Sequence, residues 1–290
     1  MKSILLMGAV VLSTTLCAQK VPDKLTFQKG QKYEVTTVVE NVNTMTMMGQ
    51  NMDMKMNLTT TRVLDVGDVS KDVATIESKV KRMQFSFEGM GKNETFDSEK
   101  EEDMKGEGGK MAEKGLKNKY TMKVDATGKI LEVKADDDNP NKSPEGQGSL
   151  VMGPLESMMA GFDLPKAGDR LELSFLPSGS GAKGFTWSDT TSADKDTKRK
   201  ANYTIADVTD SDVVIDFSED VASKSVQEQM GMEINIDRKD KSTGKITLDR
   251  KTGLLKQQVV SIKSESLAEM MGQSMPVNSM TTKTITVKAL

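Results

Sequence analysis

The 290-residue chain contains no histidine, one cysteine and one tryptophan, and only 4% of its residues are aromatic. Without an imidazole, every mechanism that needs a histidine base, proton shuttle or metal ligand is excluded. Nucleophilic catalysis lacks its parts. Ser78-Lys79 and Ser223-Lys224 are adjacent pairs in segments that read as strands, so their side chains point to opposite faces. Paired carboxylates are plentiful, but glycosidase sites sit among aromatic platforms, and Trp187 stands alone. The charge is nearly balanced, 40 basic against 43 acidic residues, which leaves no electrostatic footprint for nucleic acid. No segment holds the roughly 18 consecutive apolar residues of a membrane helix. A hydrophobic fraction of 36% allows a core, but a thin one. These absences point to a non-enzymatic protein without cofactor.

The N-terminus carries a compartment signal. Lys2 precedes an apolar run over residues 4–12 that is too short to span a bilayer, and small or polar residues follow up to Ala18. Residues 1–18 read as a signal peptide cut before Gln19, which predicts export to the periplasm or beyond the cell. Lipid anchoring through Cys17 is the less favoured alternative, because Leu16 stands where a small residue is wanted. A mature chain without cysteine suits export and has no disulfides, so stability must come from sheet pairing and burial.

Period-2 alternation dominates what remains. From Met52 to Val66 the even positions are mostly apolar and the odd ones mostly polar. Tyr33, Val35, Val39, Met45 and Met47 share a face in the segment before, so residues 31–66 form a hairpin of long strands. In the next strand, residues 73–87, the apolar phase switches from Ile76 and Val80 to Met83, Phe85 and Phe87, which predicts a bulge. Residues 89–118 are rich in Gly, Lys and Glu and read as a mobile, solvated insertion. A short helix around 98–105 is stopped by Gly106, Gly108 and Gly109. Residues 120–133 give another hairpin. Residues 135–149 are a linker, and Leu155, Met158, Met159 and Phe162 have the spacing of a helix over 150–162. Strand patterns resume at 185–188, 201–208, 213–217, 234–237, 245–249, 254–262 and 282–288.

Three landmarks recur in the same order. Gly30-Gln-Lys-Tyr-Glu-Val35 parallels Gly168-Asp-Arg-Leu-Glu-Leu173. Asp65-Val-Gly-Asp68 parallels Asp207-Val-Thr-Asp210, and Asp125-Ala-Thr-Gly128 parallels Asp249-Arg-Lys-Thr-Gly253. The organisation that follows is a signal peptide over 1–18, a β unit over 19–134, a linker and helix over 135–167, and a second β unit over 168–290. The fold class is mainly β: two related curved antiparallel sheets, a duplicated unit, with a short helix in mid-chain.

Ala18-Gln19, the Gly-x-Lys-Tyr33 opening strand, the repeated Asp-to-Gly hairpin turn and the central Met/Leu helix together resemble a domain-of-unknown-function family of secreted Bacteroidota proteins. The resemblance implies no activity and no catalytic residues. The curved strands with one helix are also distantly similar in architecture to the half-barrels of periplasmic lipoprotein carriers.

Methionine, 22 residues, is the most unusual component. Met45, Met47, Met52, Met54 and Met56, followed by Leu58, flank a single turn. A thioether side chain is flexible and fills irregular gaps, so these positions serve packing or an adaptable apolar surface. A Met-lined concave sheet would accept varied acyl chains. These six residues are therefore the candidate ligand-binding positions, for a hydrophobic small molecule such as a lipid; an envelope protein is the other partner class. Thioethers also select Cu(I), which makes a Met-based copper protein the alternative, and a scaffold using exposed sheet edges a third. Gly179-Ser-Gly181-Ala-Lys-Gly184 fits a dinucleotide fingerprint by spacing, but a strand pattern follows it, so it reads as a loop. Asp137, Asn139 and Asn141 have calcium-loop spacing, but Lys142 and Gly148 stand at the positions for Gly and Glu.

Overall fold

The computed structural model describes residues 21–47, 50–89, 91–135, 164–177, 181–194, 196–229, 232–270 and 273–290. The helix expected over 150–162 and the residues with calcium-loop spacing lie outside them. In chain order the strands are β1 (Lys32–Met47), β2 (Gln50–Ser70), β3 (Val73–Gly89) and β4 (Lys92–Asp97), then β5 (Lys119–Asp125) and β6 (Ile130–Ala135). The second half supplies β7 (Thr186–Asp194), β8 (Thr197–Val208), β9 (Asp212–Gln229), β10 (Met232–Asp249), β11 (Leu255–Met270) and β12 (Gln273–Ala289). Two helices, α1 (Glu101–Lys105) and α2 (Glu107–Leu116), lie between β4 and β5.

The mainly β reading holds, but one sheet stands where two were expected. The order is β6-β5-β3-β2-β1-β12-β11-β10-β9-β8-β7, with β4 added beside β3. The join is the antiparallel pairing of β1 with β12, from Tyr33 opposite Ala289 to Met45 opposite Val277. The predicted bulge is present. Thr61 pairs with Arg82 and Arg62 with Val80, which leaves Lys81 as the extra residue. That extra residue moves the inner face from Val80 to Met83. The β2–β3 turn holds Lys71 and Asp72 at φ 50° and 64°, the left-handed pair of a hairpin turn matched to strand twist.

Alternation sends Tyr33, Val35, Leu64, Val66, Ile76, Ile215, Ile246 and Leu248 to one face, where all are buried. These residues share one core at the end of the sheet that carries the β2–β3, β5–β6 and β10–β11 turns. Two straps close this base. In the first, the Leu25 amide donates to the Ala126 carbonyl (2.7 Å) and the Thr26 amide to the Thr252 carbonyl (2.8 Å). In the second, the Leu171 amide donates to the Gly128 carbonyl (2.7 Å) and the Leu255 amide to the Leu173 carbonyl (3.0 Å). The two Asp-to-Gly turns singled out in the sequence are thus bridged by the same straps. Each is built on its aspartate: Asp125 accepts from the Thr127 and Lys129 amides, and Asp249 from the Lys251 and Thr252 amides. The sheet therefore curls around the strapped face at its base.

Residues 89–118 differ from the expectation of a mobile, solvated insertion. β4, α1 and α2 are ordered, and α2 runs through Gly108 and Gly109. Glycine weakens a helix by about 1 kcal/mol relative to alanine, but burial against the sheet overrides that local preference. Of the loop read over 179–184, residues 181–184 are described and hold no strand or helix: Gly184 sits at φ 87° in a turn that leads into β7.

Candidate functional site

Met45, Met52, Met54 and Met56 lie on the inner face of β1 and β2, beyond the main core. Register alone brings most of them together. Met45 pairs directly with Met52, Asn43 with Met54, Asn41 with Met56 and Val39 with Leu58. Met54, Met56 and Leu58 are 5%, 1% and 2% exposed, whereas Met45 and Met52 are half-buried toward the hairpin tip. Met47 pairs with Gln50 at the end of the hairpin.

The buried three belong to a second, smaller apolar cluster with Met83, Phe85, Phe87, Phe96 and Ala112. The sequence pattern singled out the methionines but missed their cover. β4 brings Phe96 onto Phe85, with ring centroids 4.9 Å apart and planes at 18°. α2 then lies across the cluster on its smallest residues. A Cβ on Gly108 would stand 3.0 Å from Phe96 Cδ2, and one on Gly115 2.9 Å from Met83 Sδ. Gly108, Ala112 and Gly115 recur at helical spacing, and that spacing was the available signal that a helix packs closely here.

An outer-face network pins the cover to β3. Arg82 pairs with Asp97 at 2.6 Å, and Gln84 Nε2 donates to the same carboxylate at 3.0 Å. The Asp97 amide donates to Asp103 at 2.8 Å, and the Ser98 hydroxyl accepts from the Met83 amide at 3.0 Å. The Arg82 hydrogen bond is the largest cause that holds the Asp97 carboxyl down at about 2, against desolvation in the opposite sense.

Two further clusters lie in the base. Arg62 is buried against Glu172 of the second strap. Phe185, Trp187, Tyr203 and Phe217 form an aromatic ladder across β7, β8 and β9, with successive centroids 6.0, 5.0 and 5.3 Å apart. Phe217 and Tyr203 belong to the main core, and Phe185 and Trp187 pack against it. Among the described residues, no group of three or more carboxylates or thiols could hold a metal ion, and no helix is long and apolar enough to cross a membrane.

Fold and site define an open, single-sheet antiparallel β protein with a strapped base and a covered methionine–phenylalanine face. The chain belongs to the family of unknown function DUF6263, which matches residues 71–255. No curated protein sequence matches it. Among solved structures, lipovitellin, described for its lipid–protein interactions, aligns at TM-score 0.46 and 9% identity, over 91% of this chain and 25% of that one. The chain thus spans about a quarter of the lipovitellin chain. An outer membrane channel from Pseudomonas putida F1 aligns at TM-score 0.27 and 7% identity, covering 92% and 98% of the two chains. Pseudomonas aeruginosa OpdQ aligns at TM-score 0.29 and 5% identity, covering 91% and 100%. These scores are too low to define a shared fold.

Proposed function

We propose that this protein is exported and carries a hydrophobic ligand, such as an acyl lipid, on the Met face of β1 and β2, without catalysing a reaction. Met45, Met47, Met52, Met54, Met56 and Leu58 are the binding residues. One observation carries the reading: a second apolar cluster, separate from the main core, lies under a ten-residue helix with three glycines. Such a helix has little intrinsic stability and is held mainly by the surface it covers. Its displacement would open a flexible thioether surface continuous with half-buried Met45 and Met52. Thioethers adapt to chains of different shape, which suits a carrier better than a rigid Leu/Ile pocket.

Native mass spectrometry of the protein purified from an exporting bacterium tests this, with solvent extraction of anything retained. The expected result is added mass matching acyl lipids. Met52→Asp, at a half-buried position near the hairpin tip, should abolish retention and leave the circular dichroism unchanged. Met54→Asp, inside the cluster, should abolish retention and release α2 as well. A bare polypeptide mass for the unmutated protein, or lipid retained by both variants, overturns the reading.

A further inference from the structure

The outer face of the second half carries a pattern that the fold itself does not reward. Register aligns two neighbouring rows across β8, β9, β10 and β11. One reads Lys198, Ala222, Lys239, Glu265, and the other Lys200, Asp220, Lys241, Lys263. Five lysines thus meet two carboxylates, in a chain whose net charge is −3. Lys263 pairs with Glu265 at 2.8 Å. Among the described residues, Lys198, Lys200, Lys239 and Lys241 form no ion pair. Lys241 stands directly opposite Lys263, and like charges in that position destabilise a sheet.

Exposed aliphatic side chains continue the same rows. Lys263 is followed by Met280 on β12 and Val42 on β1, which are 49% and 43% exposed. Leu267, 39% exposed, lies beside Pro276 in the next row. A cleft of about 690 Å³ opens beside Leu267 and Pro276, where the unpaired Lys198 and Lys239 stand with Glu265 and Asp196, and Lys224 is paired with Asp237 at 3.2 Å. Lysines alone would be an ordinary solvated face. Unpaired lysines interleaved with exposed Leu, Met and Val form a surface with two complementary demands, a layer of fixed negative charge and an apolar layer beneath it.

We propose that this outer face docks on an anionic phospholipid bilayer, with the lysine rows on the headgroup phosphates and Leu267, Met280 and Val42 entering the interface. The occupant follows from the charge and from the aliphatic residues. A soluble polyanion answers the lysines but leaves the aliphatic side chains in water. The chain's negative balance elsewhere repels the same surface, so the patch also sets the orientation. The proposal concerns the face opposite the Met cluster and does not depend on ligand binding there.

Vesicle flotation tests it, with phosphatidylglycerol–phosphatidylethanolamine vesicles against phosphatidylcholine alone. The protein should float with the anionic vesicles only, and binding should weaken strongly in high salt, where the Debye length falls to about 3 Å at 1 M. Each lysine near an anionic surface contributes about fivefold in affinity. Lys239→Glu with Lys241→Glu should therefore cost at least about twentyfold, with circular dichroism unchanged at these exposed positions. Leu267→Ser with Met280→Ser should weaken binding while leaving its salt dependence in place. Comparison with these variants separates the patch from any affinity of residues 1–18. Absence of binding, equal binding to neutral vesicles, or binding unaffected by the lysine variant overturns the proposal. So does full binding by the aliphatic variant together with competition by heparin, which would mark a site for a soluble polyanion. Retention of acyl lipid measured in the same variants should not change, so failure here is distinguishable from failure of the carrier reading.

Discussion

Arg62 is where a single residue carries the most risk for the base of the sheet. Burial alone pulls its proton affinity down, but the Glu172 carboxylate and the Tyr120 hydroxyl more than offset this, so the guanidinium pKa stands above its ordinary value. Removing one partner of a fully buried pair leaves an uncompensated charge, at a cost of about 3–5 kcal/mol; the cost here is less, because the Glu172 side chain is one-third exposed. Glu172→Ala should therefore lower the urea midpoint sharply, whereas Arg62→Met combined with Glu172→Leu should recover most of the loss. If the single and double variants unfold at the same midpoint, Arg62 is not held by that pair. The glycines of α2 separate in the same way. A Cβ on Gly109 would stand 2.0 Å from the Met104 carbonyl oxygen, which is backbone and cannot yield, whereas the Gly115 contact is the flexible end of Met83. Gly109→Ala should lower the melting temperature and expose α2 to protease. Gly115→Ala, which gains about 1 kcal/mol of helix propensity, should stay close to the parent.

At the scale of elements, the cover is the part that pH can address. Asp97 has a folded pKa of about 2, below its ordinary 3.8. A depressed carboxylate pKa contributes stability that is complete above the unfolded value and is lost as pH falls through the folded one. The contribution is about 1–2 kcal/mol, less than the full shift because Arg82 is one-third exposed. Exchange of the Ser98 amide, which donates to the Met83 carbonyl, should therefore accelerate between about pH 4 and pH 2 once normalised for intrinsic rate. The Ile246 amide should not respond. Asp97→Asn should show the faster Ser98 exchange already at pH 7; unchanged exchange in that variant would remove Asp97 from the anchoring of the cover. This element also marks where the sequence was legible. The long β1–β2 hairpin and the bulge at Lys81 could be read from alternation, because a half-buried strand repeats every second residue and an inserted residue visibly flips the phase. The α2 helix could not be read that way. Its stability comes from contact with Phe85, Phe96 and Met83, while its own glycines argue locally for a loop. The methionine face could be placed by strand register, but its burial depended on that unseen cover.

For the whole molecule, the pairing of β1 with β12 decides the architecture, and nothing local in either strand announces it. Two strands some 240 residues apart carry the same alternating pattern as any neighbouring pair, so the sequence favours separate sheets as readily as one. The Asp-to-Gly turns were visible as turns, but their meeting under shared straps arises only once the sheet curls. The same curl makes stability uneven along each strand. At the base, Ile246 and Leu248 of β10 are fully buried in the main core, whereas farther along the same strand Asp237, Arg238 and Lys239 are exposed. Opening free energy follows buried apolar contact rather than hydrogen-bond count, since both stretches are equally paired to β9 and β11. Amide exchange along β10 should therefore be slowest at Ile246 and Leu248 and rise steadily toward Arg238. Equal protection along the whole strand would mean that the outer stretch is stabilised by something beyond the sheet. Repeating the measurement after solvent extraction would then show whether a retained ligand supplies it, because a molecule that binds only the folded state suppresses opening by a factor of one plus the ratio of its free concentration to Kd.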